Sequence, residues 1–363
     1  MPPAEAAAPR ARIDAAAFAA NLQRVRALCP TSKVMAVVKA NAYGHGIDAI
    51  IPGLKAADGA AVARFGEGVA LRKAGWNGRV VVLGGVRDGA ELKAAAEHRL
   101  DVVAHHAGHV RLLTGTPLPS PVDVWLKFDS GMHRLGFDAQ GFTNALDALK
   151  ACPSVGGPVR LMTHLACADE RDNAHTRLQV DDFVALVDGI DGERSIANSA
   201  AVLGWPDTHA DWVRPGLMLY GVSPFANETA ASLGLAPVMT LTSRLIAVKT
   251  VPAGGAVGYG ATWVAERDTR IGIAAIGYGD GYPWRLAGPA SRGAVALVNG
   301  ERCPLVGRVS MDMTAISLES QPDAQLGDPV VLWGEGLPVE EVAGWAGTLP
   351  YELLCGIASR VPR

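Results

Sequence analysis

The sequence has few charges, few aromatic residues and no long apolar run. Its five cysteines are scattered and show no CxxC spacing, which argues against a disulfide framework or a zinc ribbon. No stretch reaches the roughly 18 apolar residues that a membrane span needs. Residues 1–10 also lack the charged-then-apolar pattern of a secretory signal. We therefore expect a cytoplasmic protein with free thiols and no membrane anchor.

The charge balance excludes another group of functions. Charged residues make up 19% of the chain and the net charge is −3, so we expect no binding to nucleic acid or to an anionic membrane surface. Apolar residues make up 49% of the 363 positions. That is enough for a large core, and the length suggests about two domains.

Apolar runs alternate with segments of helical periodicity in the first two thirds of the chain. The runs are residues 34–39, 60–65, 79–83, 100–104, 122–129, 159–165, 194–199 and 213–220. Strands that each precede a crossover helix predict a (β/α)8 barrel over residues 1–235, with residues 1–14 as a tail and an edge strand. A doubly wound open sheet gives the same alternation, but it usually has fewer strands, and no GxGxxG follows the first run.

The pattern changes near residue 236. Short β-prone runs follow, separated by glycine-containing turns. Asn299-Gly300 between residues 294–298 and 302–306 predicts a hairpin. We expect a mostly β domain over residues 236–363, interrupted by one helix at about residues 339–346.

Polar residues fall at the carboxyl ends of the barrel runs, where this fold places its active site. The first run ends in Lys39, and a lysine that is partly desolvated there has a lowered pKa and becomes an amine nucleophile. The alternative is a solvated lysine that caps a strand. The other rim positions are Leu83, Lys127, Asp129, His133, Arg134, His164, Asn198, Ser199, Arg214, Gly216 and Leu217. This set is cationic and suits an anionic ligand.

The loops after the last two barrel strands commonly bind phosphate. Here they carry the Ser199 hydroxyl and the backbone N–H groups at Gly216 and Leu217. A Schiff-base lysine on one side of the mouth and a phosphate site on the other imply pyridoxal 5′-phosphate.

The segment AVVKANAYGHG at residues 36–46 resembles the cofactor-lysine motif of the alanine racemase family. The further matching segments are KFDSGMHRLG (127–136), THLA (163–166), ANSA (197–200), VRPG (213–216), YG (220–221), GYGATW (258–263), GYGDG (277–281) and GRVSMD (307–312). The set in this order is very specific and covers nearly the whole chain. The resemblance implies a pyridoxal-phosphate isomerase that interconverts L- and D-alanine, and a homodimer with shared active sites.

The resemblance also implies a two-base mechanism. Lys39 carries the cofactor and acts on one face of the substrate Cα, while Tyr259 of the other subunit acts on the opposite face. Racemisation needs a base on each side, because removal and return of the proton on one face restore the same enantiomer. A tyrosine with an ordinary pKa of about 10 needs nearby cations or hydrogen bonds to serve as a base.

Further roles follow from the same resemblance. Arg214 faces the cofactor's pyridine nitrogen and is held by His164. The implied cofactor contacts are Lys39, Tyr43, Leu83, His164, Asn198, Ser199, Arg214, Gly216 and Leu217, and the implied substrate contacts are Arg134, Met311 and Tyr278. Lys127 often carries a carbamate in this family, and the simpler alternative is a direct Lys127–Asp129 contact.

Two positions depart from the family pattern. Ser359 stands where members often carry a tyrosine that touches the cofactor phosphate, and Ser195 stands where many carry a histidine behind the pyridine ring. We expect both changes to affect cofactor affinity and neither to change the reaction.

Other functions stay open from the sequence. A broader amino-acid racemase or a decarboxylase on the same scaffold fits the barrel motifs. A non-catalytic pyridoxal-phosphate-binding protein fits them too, but would not need the β domain with Tyr259 and Met311. We expect no metal: His105-His106-x-x-His109 has a spacing that could suit one, yet no carboxylate or cysteine accompanies it, so it is interpreted as a loop and a helix start.

Overall fold

The computed structural model describes residues 8–286 and 293–363. Strand β1 (Arg10–Ile13) is followed by helix α1 (Ala15–Leu28). The Asp14 side chain caps this helix by accepting hydrogen bonds from two backbone N–H groups of its first turn, which are among the donors that have no partner within a helix. The helix buries Phe18, Leu22 and Val25 on one face.

Parallel strands form a closed barrel after α1. They are β2 (Lys33–Val37), β3 (Gly59–Val62), β4 (Arg79–Val82), β5 (Asp101–Ala104), β6 (Val124–Lys127), β7 (Arg160–Met162), β8 (Arg194–Ser195) and β9 (Trp212–Val213). Val34 of β2 pairs with Val213 of β9, which closes the barrel. The strands read as continuous apolar runs because both of their faces are covered. The predicted (β/α)8 barrel is confirmed, and the doubly wound sheet is wrong.

Helices cover the outside of the barrel and connect its strands. The connecting elements are a short turn α2 (Lys39–Tyr43) and helices α3 (Ile47–Leu54), α4 (Phe65–Lys73), α5 (Gly89–Glu97), α6 (Ala107–Gly115), α7 (Ala139–Lys150), α8 (Ala174–Leu186) and α9 (Ser199–Gly204). Side chains of Asp88, Asp138 and Asn173 cap α5, α7 and α8. Helix α3 retains Pro52 in its last turn.

The C-terminal part is an antiparallel sheet with two helices. Its elements are β10 (Met239–Val251), β11 (Ala256–Val257), β12 (Trp263–Val264), β13 (Thr269–Ala274), β14 (Val295–Val298), β15 (Glu301–Pro304), β16 (Thr314–Ser317), β17 (Pro329–Trp333), α10 (Val339–Ala346) and α11 (Pro350–Cys355). The predicted hairpin is confirmed as β14–β15, and Asn299 and Gly300 both have positive φ, as a type I′ turn requires. The mostly β character and the helix at 339–346 are confirmed as well.

The structure differs from the sequence prediction at three elements. Strand β1 is present, but it pairs with β10 of the C-terminal sheet rather than with the barrel. The eighth barrel strand ends at Val213, because Pro215 has no N–H to donate, and residues Leu217–Tyr220 form a 3-10 helix. Helix α11 was not predicted.

Ion pairs close the amino-terminal end of the barrel, which we call the floor. The floor residues are Lys33, Arg79, Asp101, Asp123, Arg160 and Glu193. Arg160 lies 2.7 Å from Glu193 and 3.3 Å from Asp123, and Arg79 lies 2.8 Å from Asp123. Glu193 also accepts a hydrogen bond from Lys33. Each cation of this set therefore meets a carboxylate.

Over residues 8–286 and 293–363, no helix combines the length and the apolar character needed to cross a bilayer.

Candidate active site

Lys39 opens an unusual turn at the carboxyl end of β2. The four residues after it, 40–43, have φ between 50° and 55° and form a left-handed turn without a glycine. Such backbone costs about 1–2 kcal/mol per residue, so the surrounding structure has to hold it. Glu67 contributes by accepting a hydrogen bond of 2.6 Å from the Ala40 N–H. The turn aims Lys39 over the barrel mouth, which is the set of carboxyl-terminal strand ends.

The C-terminal part supports the same turn from the other side. Gly44 ends it with a positive φ, and a Cβ on this glycine would lie 2.0 Å from the carbonyl oxygen of Leu354 in α11. The Arg363 side chain donates a hydrogen bond of 2.5 Å to the Gly44 carbonyl. Only glycine fits this close approach. The turn after Lys39 is therefore held between α4 and the C-terminal segment.

The environment of Lys39 favours a neutral amine. Burial lowers the pKa of the Lys39 ammonium, and the charge of Arg134 lowers it further, while Glu67 and Cys355 act in the opposite direction. A larger neutral fraction at neutral pH makes the amine a better nucleophile and a better base.

A cradle of polar groups faces Lys39 from the ends of the last two barrel strands. The Ser199 hydroxyl accepts hydrogen bonds from the N–H groups of Gly216, at 2.8 Å, and Met218, at 3.3 Å. A Cβ at Gly216 would lie 2.5 Å from the Tyr43 hydroxyl, so glycine is required there. Asn198 caps α9 directly before Ser199. Hydroxyls and backbone N–H groups in this arrangement suit a phosphate.

Arg214 is buried in the middle of the mouth. Its guanidinium donates hydrogen bonds to the Ser195 hydroxyl, at 2.6 Å, and to the Thr163 carbonyl, at 2.5 Å. The His164 Nδ1 atom lies 3.4 Å from Arg214 Nη2. Burial lowers the pKa of Arg214 to about 10, so the group stays charged at neutral pH. Burial and the charge of Arg214 hold the pKa of His164 well below its ordinary value, so its imidazole is neutral.

Among the described residues, Lys127 has no carboxylate partner. Its Nζ atom donates a hydrogen bond of 2.6 Å to the Leu135 carbonyl, and no carboxylate of residues 8–286 or 293–363 forms an ion pair with it. Burial lowers the pKa of Lys127 to about 8, with a further contribution from Arg214.

The Asp129 carboxylate bonds to its own loop: one of its oxygens accepts hydrogen bonds from the N–H groups of Gly131, Met132 and His133. The simple alternative of a direct Lys127–Asp129 ion pair is wrong.

Two predicted residues border this cluster. Leu83 packs against the barrel core at the end of β4 and is partly exposed toward the mouth. Arg134 is exposed, and its charge lowers the pKa of Lys39, Lys127 and His164. A solvent-facing guanidinium is suited to bind a carboxylate.

The C-terminal candidates are not part of this cluster within one protomer. Tyr259 lies between β11 and β12 and is 70% exposed, Met311 is 54% exposed and Tyr278 is 46% exposed. Tyr278 and Met311 are neighbours, because the Tyr278 N–H donates to the Ser310 carbonyl at 3.0 Å. The Arg308 guanidinium lies against Gly260, the residue that follows Tyr259, 3.3 Å from where a Cβ would stand. Large exposed aromatic and methionine side chains of this kind are typical of an interaction surface.

Comparison with known proteins supports the resemblance seen in the sequence. The family model "Alanine racemase, N-terminal domain" matches residues 13–224, and "Alanine racemase, C-terminal domain" matches residues 238–363. The chain belongs to the alanine racemase family. It is therefore an isomerase of that family, and the prediction from the sequence motifs is confirmed.

Individual relatives agree along the full length. The chain is 52% identical to the alanine racemase of Nitrosococcus oceani, with 98% of each chain covered. It is similar to the crystal structure of the biosynthetic alanine racemase from Pseudomonas aeruginosa, with a TM-score of 0.93, 45% identity and coverage of 98% and 99%. An alanine racemase from Bartonella henselae, crystallised with covalently bound pyridoxal phosphate, has a TM-score of 0.87 and 26% identity over 98% and 99%.

Sequence reasoning missed several groups around the family motifs. Glu67 supports the Lys39 turn from α4, although it reads as an ordinary acidic residue in a helix's first turn. The Tyr351 ring lies 5.9 Å from the Tyr43 ring, and the Cys355 thiol is close enough to Lys39 for the two groups to affect each other's pKa. Both come from α11, which lies far from Lys39 in sequence, so no local pattern indicates them.

The two departures from the family pattern have distinct surroundings. Ser195 is fully buried and connects Arg214 to β9, since its hydroxyl also donates to the Trp212 carbonyl at 2.7 Å. Ser359 lies next to Arg360, which pairs with Asp280 and Asp312 at 2.7 Å each. The serine at 195 is thus part of the Arg214 support.

Proposed function

We propose that this isomerase interconverts L-alanine and D-alanine with pyridoxal 5′-phosphate bound in the barrel mouth. The observation that carries the proposal is the mouth itself. Lys39, with a lowered pKa, and the Ser199–Gly216 cradle lie at the same mouth as the buried Arg214 cation, which forms no ion pair with a carboxylate of the described residues. A multiply anionic cofactor with an aldehyde matches this charge and this amine.

The residues present fit the cofactor. Lys39 would hold it covalently, the phosphate would be held by Tyr43, Ser199 and the backbone at Gly216 and Leu217, and Leu83 would pack against the ring. Asn198 positions Ser199 by capping α9. When bound, the cofactor supplies an electron sink for the charge left on the substrate Cα after its proton leaves.

Arg214 sets the character of the site. Its pKa of about 10 and its hydrogen bonds to Ser195 and Thr163 keep it a charged donor in one orientation. Arginine does not release a proton at neutral pH. The His164 imidazole beside it stays neutral, because burial and the charge of Arg214 lower its pKa. This arrangement disfavours storing a proton on the pyridine nitrogen. It therefore favours return of the proton to Cα over side reactions.

Two bases on opposite faces of Cα would move the proton. Lys39 serves one face, and Tyr259 from a second copy of the chain serves the other. The 70% exposure of Tyr259 leaves it free to reach a partner's mouth. In this proposal residues 1–235 hold the cofactor, residues 236–363 complete the partner's site, and the enzyme is a homodimer. Tyr278 and Met311 would border the substrate on the partner side.

Arg134 and Lys127 would position the substrate carboxylate and the cofactor oxygen. Lys127 has a pKa of about 8, so an appreciable fraction is the free amine that reacts with carbon dioxide to form a carbamate. A carbamate would reverse the charge next to Arg134 and hold that guanidinium in place. The scattered free cysteines are consistent with a reducing compartment, and we place the enzyme in the cytoplasm.

The test combines turnover with trapping. Purified full-length protein with added pyridoxal 5′-phosphate is assayed for racemisation of a panel of amino acids, with alanine expected to react fastest. Borohydride reduction followed by peptide mass spectrometry should find the cofactor on Lys39. Exchange of the α-hydrogen without racemisation, or a label on a different lysine, would overturn the proposal.

A second assay addresses the opposite face. Tyr259→Phe should slow proton abstraction from one alanine enantiomer more than from the other, measured as deuterium incorporation from each. Equal losses would contradict the two-base assignment while leaving the cofactor site intact. Mixing Tyr259→Phe with Lys39→Ala protomers should restore part of the activity if the sites are shared between subunits.

A further inference from the structure

A histidine cluster lies on the barrel rim outside the residues assigned above. His105 and His106 follow β5, and His109 lies in the first turn of α6. His106 is the N-cap of that helix, so the predicted loop and helix start is confirmed. The tertiary structure adds what the spacing did not show. The ring centroids lie 4.4 Å apart for His105 and His109, and 3.9 Å apart for His106 and His109.

The nitrogen atoms of the cluster converge. One ring nitrogen from each of the three histidines lies within 4.8 Å of the other two. His105 Nε2 is 3.1 Å from the Gly84 carbonyl. A carbonyl requires a proton on that nitrogen, which leaves the Nδ1 lone pair free. Metal-binding histidines commonly have their second ring nitrogen held by a backbone carbonyl in this way.

Burial prepares two of the rings for a ligand role. His105 is 8% exposed and His109 is 5% exposed. Their burial holds both rings in place before a ligand arrives.

The backbone makes room for the rings. A Cβ at Gly85 would lie 2.3 Å from the His109 ring, and a Cβ at Gly108 would lie 2.6 Å from the His106 ring. Glycine at both positions lets the imidazoles approach the backbone. The two buried rings are therefore held by their packing, while the exposed His106 can rotate.

We propose that His105, His106 and His109 bind one divalent transition-metal ion of the zinc class, with water in the remaining position. Imidazole nitrogens select zinc, nickel or copper over magnesium or calcium. Tetrahedral zinc with bonds of 2.0–2.1 Å needs nitrogens about 3.3 Å apart. Reaching this spacing requires His106 to leave its cap on the Gly108 N–H and to turn toward the buried pair, in which His109 Nδ1 accepts the His105 backbone N–H at 3.4 Å.

The site borders the racemase mouth. The Lys127 ammonium is close enough to lower the pKa of His105, and by reciprocity a metal ion there would favour the neutral form of Lys127. The proposal does not depend on racemisation, because the ligands are separate from Lys39 and Arg214.

The test is zinc binding to the full-length holoenzyme without an affinity tag. Isothermal titration with zinc chloride should give one site per chain, and cobalt substitution should give a visible absorption band typical of tetrahedral coordination. His106→Asn should weaken zinc binding at least tenfold, since Asn removes the ligand but retains a favoured helix N-cap. His98→Asn, at the end of α5 outside the cluster, should bind zinc like the unchanged protein.

Thermal unfolding separates loss of the site from loss of the fold. Zinc should raise the Tm of the unchanged enzyme and of His98→Asn, but not that of His106→Asn, whose Tm without zinc should match the unchanged protein. If the unchanged enzyme binds no zinc, or binds it equally well with His106→Asn, the proposal is overturned. Equal binding would indicate that zinc binds elsewhere, with the cysteines as the next candidate ligands.

Discussion

The two ends of the barrel handle charge in opposite ways. At the floor, Arg79 and Arg160 lie against carboxylates, and Trp125 donates a hydrogen bond of 2.9 Å to Asp101. At the mouth, Arg214 donates hydrogen bonds to a hydroxyl and a carbonyl, and Lys39 lies within the influence of the Arg134 charge. Both ends contain lysine and arginine side chains. They differ in whether a carboxylate forms an ion pair with those cations.

This difference separates stability from function. At the floor, the partners of Glu193 outweigh its burial and lower its pKa to about 2, whereas burial still raises the pKa of Asp101 to about 6. At the mouth, Glu67 and Asp129 offset only part of the effect of burial and like charge, which lower the pKa of Lys39 and Lys127. An incoming anionic ligand can then supply the missing charge. The imbalance identifies the ligand site more directly than any single residue does.

The largest expected effect contrasts two lysines at opposite ends of β2. Lys39→Ala should reduce racemisation by about a thousandfold or more, because it removes both the covalent attachment and one base. Lys33→Ala at the floor should leave the rate within about twofold. Initial rates from L- and D-alanine check both variants. Substantial racemisation by folded Lys39→Ala would contradict the assignment of catalysis to the mouth and of structural support to the floor.

The next effect concerns stability. Arg160→Met should lower the free energy of unfolding by about 2–3 kcal/mol, because Asp123 and Glu193 lose a partner that is largely buried. Arg134→Met at the mouth removes an exposed cation and should change it by about 0.5 kcal/mol or less. Urea denaturation of the apoenzymes measures both. A mouth variant that destabilises as much as the floor variant would contradict the comparison.

A smaller effect is the acid dependence of the floor. Burial raises the pKa of Glu193, but hydrogen bonds from Lys33 and Arg160 outweigh this and lower it to about 2. A carboxylate with a lowered pKa in the folded state contributes stability above its unfolded pKa, and that stability is lost as the pH falls from about 4.5 toward 2.

Because Glu193 is partly exposed, we expect about 2 kcal/mol from this group. Glu193→Gln should flatten the stability curve over that pH range, measured by urea unfolding at successive pH values. An unchanged slope in the variant would show that other carboxylates carry the acid sensitivity.

The smallest predicted effect compares two buried serines. Ser195→Ala removes the acceptor that orients Arg214 and should weaken pyridoxal-phosphate binding about three- to tenfold, at roughly 1 kcal/mol per hydrogen bond. Ser32→Ala at the floor removes a hydrogen bond to the Ala210 carbonyl and should leave cofactor binding unchanged. Equilibrium dialysis of the apoenzymes gives the dissociation constants, and equal values for the two variants would remove the role assigned to Ser195.

Local patterns predicted much of the fold. The barrel strands could be read from apolar runs, because a strand covered on both faces leaves no polar position. Asn299-Gly300 predicted its hairpin because those residues adopt positive φ most readily. The carboxyl ends of the strands then brought Lys39, Arg214 and Ser199 to one rim, since parallel strands all end on the same side.

Contacts between distant segments could not be predicted in the same way. Strand β1 pairs with β10, more than two hundred residues later, and the sequence of neither strand indicates its pairing partner. The left-handed turn after Lys39 contains no glycine among residues 40–43. Its conformation is imposed by Glu67 and by α11, so the local sequence carries no signal for it.

Periodicity and motif order are local properties of the chain, and they were enough to predict the reaction family, the barrel and the residues placed at its mouth. The environment of those residues depends on the tertiary structure. Folding buries Arg214 against Ser195, turns an Asp129 oxygen onto the backbone N–H groups of its own loop, lowers the pKa of Lys39 and brings three histidines together on the rim. Those outcomes depend on desolvation and on distances between segments remote in the chain, which no local pattern encodes.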